Sequence, residues 1–254
     1  MGNTTRGAVK HRSGFHRTGE AIDEREYASL EKLLDDETLE RSPVVANRVM
    51  NRERGLTGSN GYGRELGIDV LEVLRDRVRA GRRVRWLDLC CGSARALFEA
   101  SRHLGDEAEI VGVDLVDFFA GPSRPPKLRL VAASITVWEP EEPFDLITCV
   151  HGLHYVGDKL GVLSRAAGWL AEDGLLVGNL DLRSILREDG VPVGRRLASA
   201  LREAGLDHDS RRRRITCRGR RVVDLPYRYL GSDDRAGPNY TGQPAVDSYY
   251  THGS

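Results

Sequence analysis

The chain has 254 residues, of which 40% are hydrophobic, and its 38 basic and 38 acidic side chains leave no net charge. This length suits one α/β domain with an extension, and no apolar run reaches the roughly 18 residues that a membrane span needs. Proteins that bind duplex nucleic acid usually carry a basic excess, so we expect neither a nucleic-acid nor a membrane partner.

The four cysteines lack the C-x-x-C spacing that is typical of zinc sites: Cys90, Cys91, Cys149 and Cys217. We predict buried thiols in a reducing, cytoplasmic environment, and no metal site. The N-terminus lacks the apolar core of a secretory signal. Residues 1–19 are polar and basic, and we expect them to form a flexible leader.

Residues 20–80 carry apolar side chains at helical spacing and predict a small helical cap. The first helical pattern begins near Ala21. Ser42 and Pro43 have the character of an N-cap followed by a first-turn proline, which predicts a second helix over 42–50. After a glycine-rich loop, a third helix is predicted from Arg64, with Val70 and its periodic neighbours on one face.

From Val84 onward, short apolar runs alternate with helical patterns. Strands are predicted over 84–89, 110–113, 128–132, 146–150 and 175–180, and helices over 95–103, 160–170 and 194–204. This alternation is typical of a parallel sheet with helices on both faces. The runs 212–217 and 222–225 predict a closing antiparallel hairpin. We assign residues 81–230 to this core and 231–254 to a Tyr- and Gly-rich tail, which suits either disorder or an aromatic lid.

The first predicted strand leads into Leu87-Asp88-Leu89-Cys90-Cys91-Gly92-Ser93-Ala94. In open α/β sheets, ligands bind beyond the carboxyl ends of the strands, and small residues let the backbone approach a ligand closely. The dinucleotide fingerprint would need glycine at positions 90, 92 and 95, but only Gly92 is one. Arg95 is too bulky for the third position, which disfavours an NAD-dependent oxidoreductase.

Three further elements follow in order: Asp114 and Leu115 at the end of the second strand, Ala133-Ser134-Ile135 after the third, and the segment 144–156 around the fourth. Together with the first loop, they resemble the class I S-adenosylmethionine-dependent methyltransferases over about residues 84–230. The resemblance implies an α/β fold: a Rossmann-like, mostly parallel seven-stranded sheet with an antiparallel C-terminal hairpin, helices on both faces and an N-terminal helical cap.

The resemblance also implies a cofactor site for S-adenosylmethionine. Asp88 is the family's acid before the loop, and Asp114 is the acid that accepts hydrogen bonds from the ribose hydroxyls, although it could instead cap the next helix. Ser134 stands where the family often has an aspartate for the adenine amino group, so the adenine contact could come from the backbone there. The remaining expected cofactor residues are Cys90, Gly92, Ser93, Ala94, Leu115, Ala133, Ile135, Val150, Tyr62 and Arg64.

His151 and His154 are the candidate catalytic residues, because the loop after the fourth strand lies beside the reactive methyl group in this family. Imidazole can take a proton from a phenol or an alcohol near neutral pH. The alternative is that each histidine is neutral and hydrogen-bonded within the fold. The sequence Cys149-Val150-His151-Gly152 replaces the Asn/Asp-Pro-Pro-Tyr motif of many amino-group methylating enzymes, which argues against nucleic-acid adenine and side-chain amides as acceptors.

These features predict methyl transfer to a small-molecule acceptor, with oxygen as the accepting atom and natural-product tailoring as the role. Two alternatives stay open: non-methyl-transfer chemistry on the same fold, and a non-catalytic cofactor-binding partner subunit. A homodimer is one of the oligomeric states that the sequence leaves open. The basic run 211–214 is expected to be solvated on an edge strand, with an acidic substrate or carrier as the alternative.

Overall fold

A seven-stranded sheet forms the centre of the molecule, of which the computed structural model describes residues 32–46 and 53–253. The ten strands in these ranges are β1 Val84–Leu89, β2 Ala108–Asp114, β3 Leu128–Ala132, β4 Phe144–Cys149, β5 Leu170–Asn179, β6 Ile185–Arg187, β7 Leu206–Asp209, β8 Arg214–Arg218, β9 Tyr227–Asp233 and β10 Asp247–His252. The central sheet has the order β3-β2-β1-β4-β5-β8-β7. Strands β1 to β5 are parallel, and β8 is antiparallel to both neighbours.

Helices cover both faces of this sheet, as the sequence predicts. The described helices are α1 Asp36–Glu40, α2 Tyr62–Leu66, α3 Val70–Arg79, α4 Arg95–Leu104, α5 Lys159–Gly168 and α6 Arg195–Glu203. Successive residues of a strand point to opposite faces, and so the adjacent residues Trp86 and Leu87 enter two different cores. The Trp86 core contains side chains of α3 and α4, whereas the Leu87 core contains side chains of α5 and α6. The mostly parallel, Rossmann-like prediction is confirmed.

The helix predicted from Arg64 is divided in two in the structure. Gly67 adopts a left-handed conformation (φ 66°) and ends α2, a role for which glycine carries no steric cost. Asp69 then caps α3, because its side chain accepts a hydrogen bond from the Glu72 N–H at 3.0 Å. The apolar spacing alone therefore predicts one helix, whereas Gly67 and Asp69 indicate where it is interrupted.

The closing antiparallel pair also differs from the predicted hairpin. Strand β8 pairs with β7 on one side and β5 on the other, and residues 222–225 form no strand. The reason is the anchoring of the chain after β8: Gly219 N–H donates to the Gly174 carbonyl at 2.8 Å, and Arg220 N–H donates to Ala171 at 3.1 Å. Held to the start of β5, the chain cannot turn back on β8, and Val222 is 99% exposed.

A second, three-stranded sheet of order β6-β10-β9 contains part of the C-terminal tail. Strand β10 is parallel to β6 and antiparallel to β9. Tyr250 of β10 is almost fully buried in the core that contains Leu87. The described part of the tail is therefore packed onto the domain, and the loop between β9 and β10 crosses the carboxyl end of the central sheet.

Three of the sequence predictions fall wholly or partly outside the described residues. The leader 1–19 and the helix from Ala21 are not described, and neither is the end of the helix predicted over 42–50. Its described part, 42–46, is a hydrogen-bonded turn in which Ala46 N–H donates to Ser42 at 2.9 Å. No helix in the described ranges is long and apolar enough to cross a membrane.

Candidate active site

An open cavity lies where the parallel strands end. One side consists of loops that follow β1, β2 and β3; we call Gly92, Asp114, Leu115, Ser134 and Ile135 the strand-loop wall. The other side carries His151 and His154 from the loop after β4, and residues of the tail. The carboxyl edge of the sheet is where α/β proteins bind their ligands.

The loop after β1 is folded tightly by backbone conformations that most side chains avoid. Cys90, Gly92 and Ala94 all have positive φ values, of 55°, 59° and 59°. Only glycine adopts this region without a steric cost, which is about 1–2 kcal/mol for other L-residues. The missing side chain of Gly92 leaves its backbone open to the cavity. The small Ala94 begins α4, whose N-terminal end faces the same edge.

Asp114 at the end of β2 is fixed from both sides by backbone donors. Its Oδ2 accepts from the Gly92 N–H at 2.8 Å, and its Oδ1 accepts from the Val116 N–H at 3.0 Å. Burial raises the pKa of this carboxyl, while the two backbone hydrogen bonds lower it. Each carboxylate oxygen has a second acceptor site. Asp114 can therefore accept hydrogen bonds from two neighbouring hydroxyls of a ligand without losing its own support.

Asp88 lies beneath the cavity and is fully buried. It accepts hydrogen bonds from the Tyr62 hydroxyl at 2.6 Å and from the Thr148 hydroxyl at 2.5 Å. Thr148 in turn accepts from the Trp86 indole at 2.8 Å. Burial raises the pKa of Asp88 to about 7. Asp88 thereby fixes the Tyr62 side chain to strand β1, and the Tyr62 side chain lines the cavity.

His151 is the centre of a polar group that we call the histidine cluster, made of His151, His154, Glu65 and Tyr240. The His151 Nε2 lies 2.9 Å from Glu65 Oε2. The Nδ1 lies 3.4 Å from His154 Nε2 and 3.3 Å from the Tyr240 hydroxyl. His151 has a left-handed backbone (φ 57°) and donates its N–H to Asn179 Oδ1 at 3.2 Å. A strained backbone held by several partners is typical of functional positions.

The two histidines have different surroundings. Burial, and next to it the neighbouring His151, lowers the pKa of His154 to about 3. His154 is therefore neutral at physiological pH. Glu65 is a charged partner for His151, because the hydrogen bond between them lowers the pKa of Glu65. Of the two candidates, His151 is the one whose ring lies at hydrogen-bonding distance from a carboxylate in the described residues.

The tail closes this side of the cavity. The Tyr240 ring packs edge-on against His154, with centroids 5.3 Å apart, and the Arg213 guanidinium lies 4.1 Å above the same ring. The tail is anchored by the fully buried Lys159, whose Nζ donates to the Val246 carbonyl at 2.9 Å and to the Ser248 hydroxyl at 2.5 Å. Burial lowers the pKa of Lys159 to about 7. These contacts hold the described part of the tail against the domain.

The structure separates the predicted site residues into two groups. Those that line the cavity are Tyr62, Cys90, Gly92, Asp114, Leu115, Ser134, Ile135, Val150, His151 and His154. Asp88, Ser93, Ala94 and Ala133 lie beside or beneath it and support the loops. Arg64 points away, because its exposed side chain donates to the Ser59 carbonyl at 3.0 Å. Arg54, which lines the cavity and pairs with Glu65 at 3.4 Å, takes the place that we expected for Arg64.

Several residues at or beside the cavity could not be recognised from local motifs. Glu40, Arg54, Glu65 and Tyr240 come from the cap or the tail, far along the chain from the strands. The basic run 211–214 is also less solvated than expected: Arg213 stacks on Tyr240, and Arg214 donates to the Glu65 carbonyl at 3.2 Å.

The cavity suits an adenosyl sulfonium ligand. Asp114 offers free acceptor sites for a ribose, Gly92 lets a ligand reach the backbone, and the cavity is open along the loops after β1, β2 and β3. In the described ranges, no group of three or more His, Cys, Asp or Glu side chains is arranged to hold a metal ion.

A comparison with known proteins gives one curated relative with partial coverage. The (S)-coclaurine N-methyltransferase of Papaver somniferum is 31% identical over 120 residues, which are 44% of this chain and 33% of that protein. The match thus spans one third of the relative's length. Among solved structures, the N-methyltransferase NodS from Bradyrhizobium japonicum is similar with 18% identity and a TM-score of 0.40, over 77% of this chain and 98% of that chain. The amino pentose methyltransferase CalS10 from Micromonospora echinaspora has 24% identity and a TM-score of 0.35, over 46% of this chain and 52% of that one.

The strongest match is to a family model. The model described as a methyltransferase domain matches residues 30–217, well over half of the chain. This range includes β1 to β7, nearly all of β8 and the whole strand-loop wall. With that coverage and the sheet order β3-β2-β1-β4-β5-β8-β7, the chain belongs to the methyltransferase-domain family and is a class I, S-adenosylmethionine-dependent member of it.

Proposed function

We propose that the protein transfers the methyl group of S-adenosylmethionine to a hydroxyl oxygen of a small molecule that lies beside His151. The contact that carries this proposal is the 2.9 Å pair of His151 Nε2 and Glu65 Oε2 at the cavity. A histidine backed by a carboxylate is a suitable general base, because the carboxylate stabilises the imidazolium that forms. The sheltered position behind Tyr240 supports a small acceptor.

The roles of the residues follow from their positions. The strand-loop wall would hold the cofactor, and Asp114 would accept hydrogen bonds from the ribose hydroxyls. When bound, the cofactor supplies an activated methyl group on sulfur. His151 would accept the hydroxyl proton of the substrate on Nδ1, because Nε2 is paired with Glu65, as the oxygen–carbon bond forms and the carbon–sulfur bond breaks. Glu65 would orient the ring. His154 is proposed as a positioning residue, because its lowered pKa makes it a weak base.

An amine is the second candidate acceptor. The curated relative is named as an N-methyltransferase, and a protonated amine also needs a base before it can attack. Natural-product tailoring, cytoplasmic location and a homodimer remain predictions.

A paired acceptor panel tests the proposal. Phenols and amines of matched carbon skeleton are incubated with the protein and S-adenosylmethionine, and S-adenosylhomocysteine and methylated product are measured by mass spectrometry. We expect turnover with phenols, lost in His151→Ala and kept in His103→Ala, whose exposed imidazole on α4 is distant from the cavity. Turnover of amines alone would favour the second candidate, and binding without any turnover would favour a non-catalytic subunit.

A further inference from the structure

Glu40, at the end of α1, reaches the strand-loop wall from outside the central sheet. It lines the cavity beside the loop that follows β3. Its Oε1 accepts hydrogen bonds from the Ser134 hydroxyl and, at 3.3 Å, from the Thr136 hydroxyl. Its Oε2 makes no hydrogen bond to any residue in the described ranges. A carboxylate with unused acceptor capacity therefore lies at the cavity wall.

The strand order indicates which part of the ligand meets Glu40. Asp114 is the last residue of β2, Ser134 follows β3 and His151 follows β4. The sheet order β3-β2-β1-β4 therefore puts Ser134 and His151 on opposite sides of Asp114. The proposed function, on which this step rests, has the ribose at Asp114 and the methyl group toward His151. The base must then extend the other way, to the loop that holds Ser134 and Glu40.

Adenine presents an exocyclic amino group there, which needs a hydrogen-bond acceptor. The hydroxyl of Ser134 is poorly suited, because it gives its proton to Glu40 and its oxygen accepts from the Thr136 N–H at 3.1 Å. An ionised carboxylate only accepts, and charge-assisted hydrogen bonds are the stronger ones. We propose that Glu40 is the acceptor for the adenine amino group, held in place by the hydroxyls of Ser134 and Thr136.

This assignment makes a segment that precedes the sheet part of the cofactor site. Helix α1 is fixed to the domain: Leu39 is fully buried, and Leu34 exchanges two backbone hydrogen bonds with Ser232 of β9, at 2.8 and 2.9 Å. Glu40 therefore lies at the end of a helix that is fixed to the domain. Recognition of the adenine thus depends on the packing of α1 and of the preceding residues against β9.

Calorimetric titration with two ligands tests the assignment without any turnover. S-adenosylhomocysteine carries the amino group, and S-inosylhomocysteine has a carbonyl oxygen in its place. We expect the wild-type protein to bind the adenosyl ligand at least about tenfold more tightly. Glu40→Gln should weaken the adenosyl ligand by about tenfold and leave the inosyl ligand unchanged or tighter, since the amide can donate to the carbonyl.

Glu37→Gln is the matched control. Glu37 lies on the same helix, and its side chain is 76% exposed and paired with Arg41, so this variant should leave both affinities unchanged. Ser134→Ala is a second test that does not change Glu40; it removes one anchor and should lower the adenosyl preference by about threefold. Thermal unfolding shows that each variant is folded.

The outcomes separate this proposal from the proposed function. Equal losses for both ligands in Glu40→Gln, or no loss for either, would overturn the role of Glu40 while the protein still binds the adenosyl ligand. A wild-type protein that binds neither ligand would overturn the proposed function as well. A preference that falls in Glu40→Gln and Ser134→Ala, but not in Glu37→Gln, supports the assignment.

Discussion

The two sides of the cavity are built in different ways. The strand-loop wall consists of residues that directly follow strands, so each one is placed by the strand before it. The histidine cluster is assembled across the chain: Glu65 and His151 are 86 residues apart, and Tyr240 is 89 residues from His151. The strand-loop wall is positioned mainly by the sheet, with Glu40 of α1 beside it, whereas the histidine cluster depends on residues of both the cap and the tail. Substitutions should therefore separate cofactor binding from turnover.

The largest effect is expected at Gly92. Gly92→Val should weaken S-adenosylhomocysteine binding by about 1000-fold or more, because a branched side chain is strained at this positive φ and fills the space of the ligand. Calorimetry measures the loss, and circular dichroism follows the fold. Gly81→Val is the control, since Gly81 also has a positive φ (75°) but lies in an exposed turn with open space around it. A similar loss in both variants would refute the steric explanation.

His151→Ala should have the opposite pattern. Loss of the base should lower kcat by about 100- to 1000-fold, while the affinity for S-adenosylhomocysteine changes little, because Asp114 and Gly92 are untouched. Steady-state kinetics and calorimetry on the same preparation test this. If cofactor affinity and kcat fall together, the two sides of the cavity are not separable.

Glu65→Gln should produce a smaller loss in the same step. The amide keeps the shape but removes the charge that lies 2.9 Å from His151, and a decrease in kcat of about tenfold corresponds to about 1.4 kcal/mol. The substrate KM should be nearly unchanged, since Glu65 acts through His151. Glu65→Asp, which keeps the charge, should restore part of kcat. A change in KM with kcat unaffected would show that Glu65 binds the substrate instead.

The strand-loop wall could be predicted from the sequence because its signals are local: an acid at the end of β2 and small residues after β1. The five strands predicted in the first part of the core correspond to β1 to β5, because an apolar run between two helical patterns can be recognised without knowledge of tertiary contacts. Glu65 and Tyr240 could not be predicted, because an acid in a cap helix and a tyrosine in a polar tail have no periodic or spacing signal. The hairpin error has the same origin, since residues 222–225 are apolar enough for a strand but the chain is anchored elsewhere.

The burial of His154 predicts that the stability of the protein depends on pH. The pKa of His154 is about 3 in the folded protein against 6.5 as its ordinary value. Between these values, the unfolded chain binds a proton that the folded protein does not, so stability is lost as the pH falls from 6.5 to 3. The slope due to this group is about 1.4 kcal/mol per pH unit.

Thermal or urea unfolding of His154→Gln across this pH range should therefore show a shallower loss than the wild type. The exposed His103→Gln should keep the wild-type slope. If the free energy of unfolding changed with pH equally in the wild type and in His154→Gln, the His154 side chain would be accessible to solvent in the folded protein.

The smallest effect is expected for Tyr240→Phe. This change removes only the hydroxyl that lies 3.3 Å from His151 Nδ1 and keeps the ring under Arg213. A threefold decrease in kcat, or about 0.7 kcal/mol, is expected if the hydroxyl helps to orient the imidazole. Tyr240→Ala should lower kcat further, because it also removes the ring that packs against His154 and Arg213. Equal effects of the two substitutions would place the whole contribution in the hydroxyl.

A crystal structure with bound S-adenosylhomocysteine would show the direction in which the ligand lies across the cavity. We expect both ribose hydroxyls on Asp114, the adenine amino group on Glu40 and the sulfur directed toward His151, with space for an acceptor between the sulfur and the imidazole. A ligand turned the other way, with its base toward the histidine cluster, would contradict the proposed roles of Asp114, Glu40 and His151.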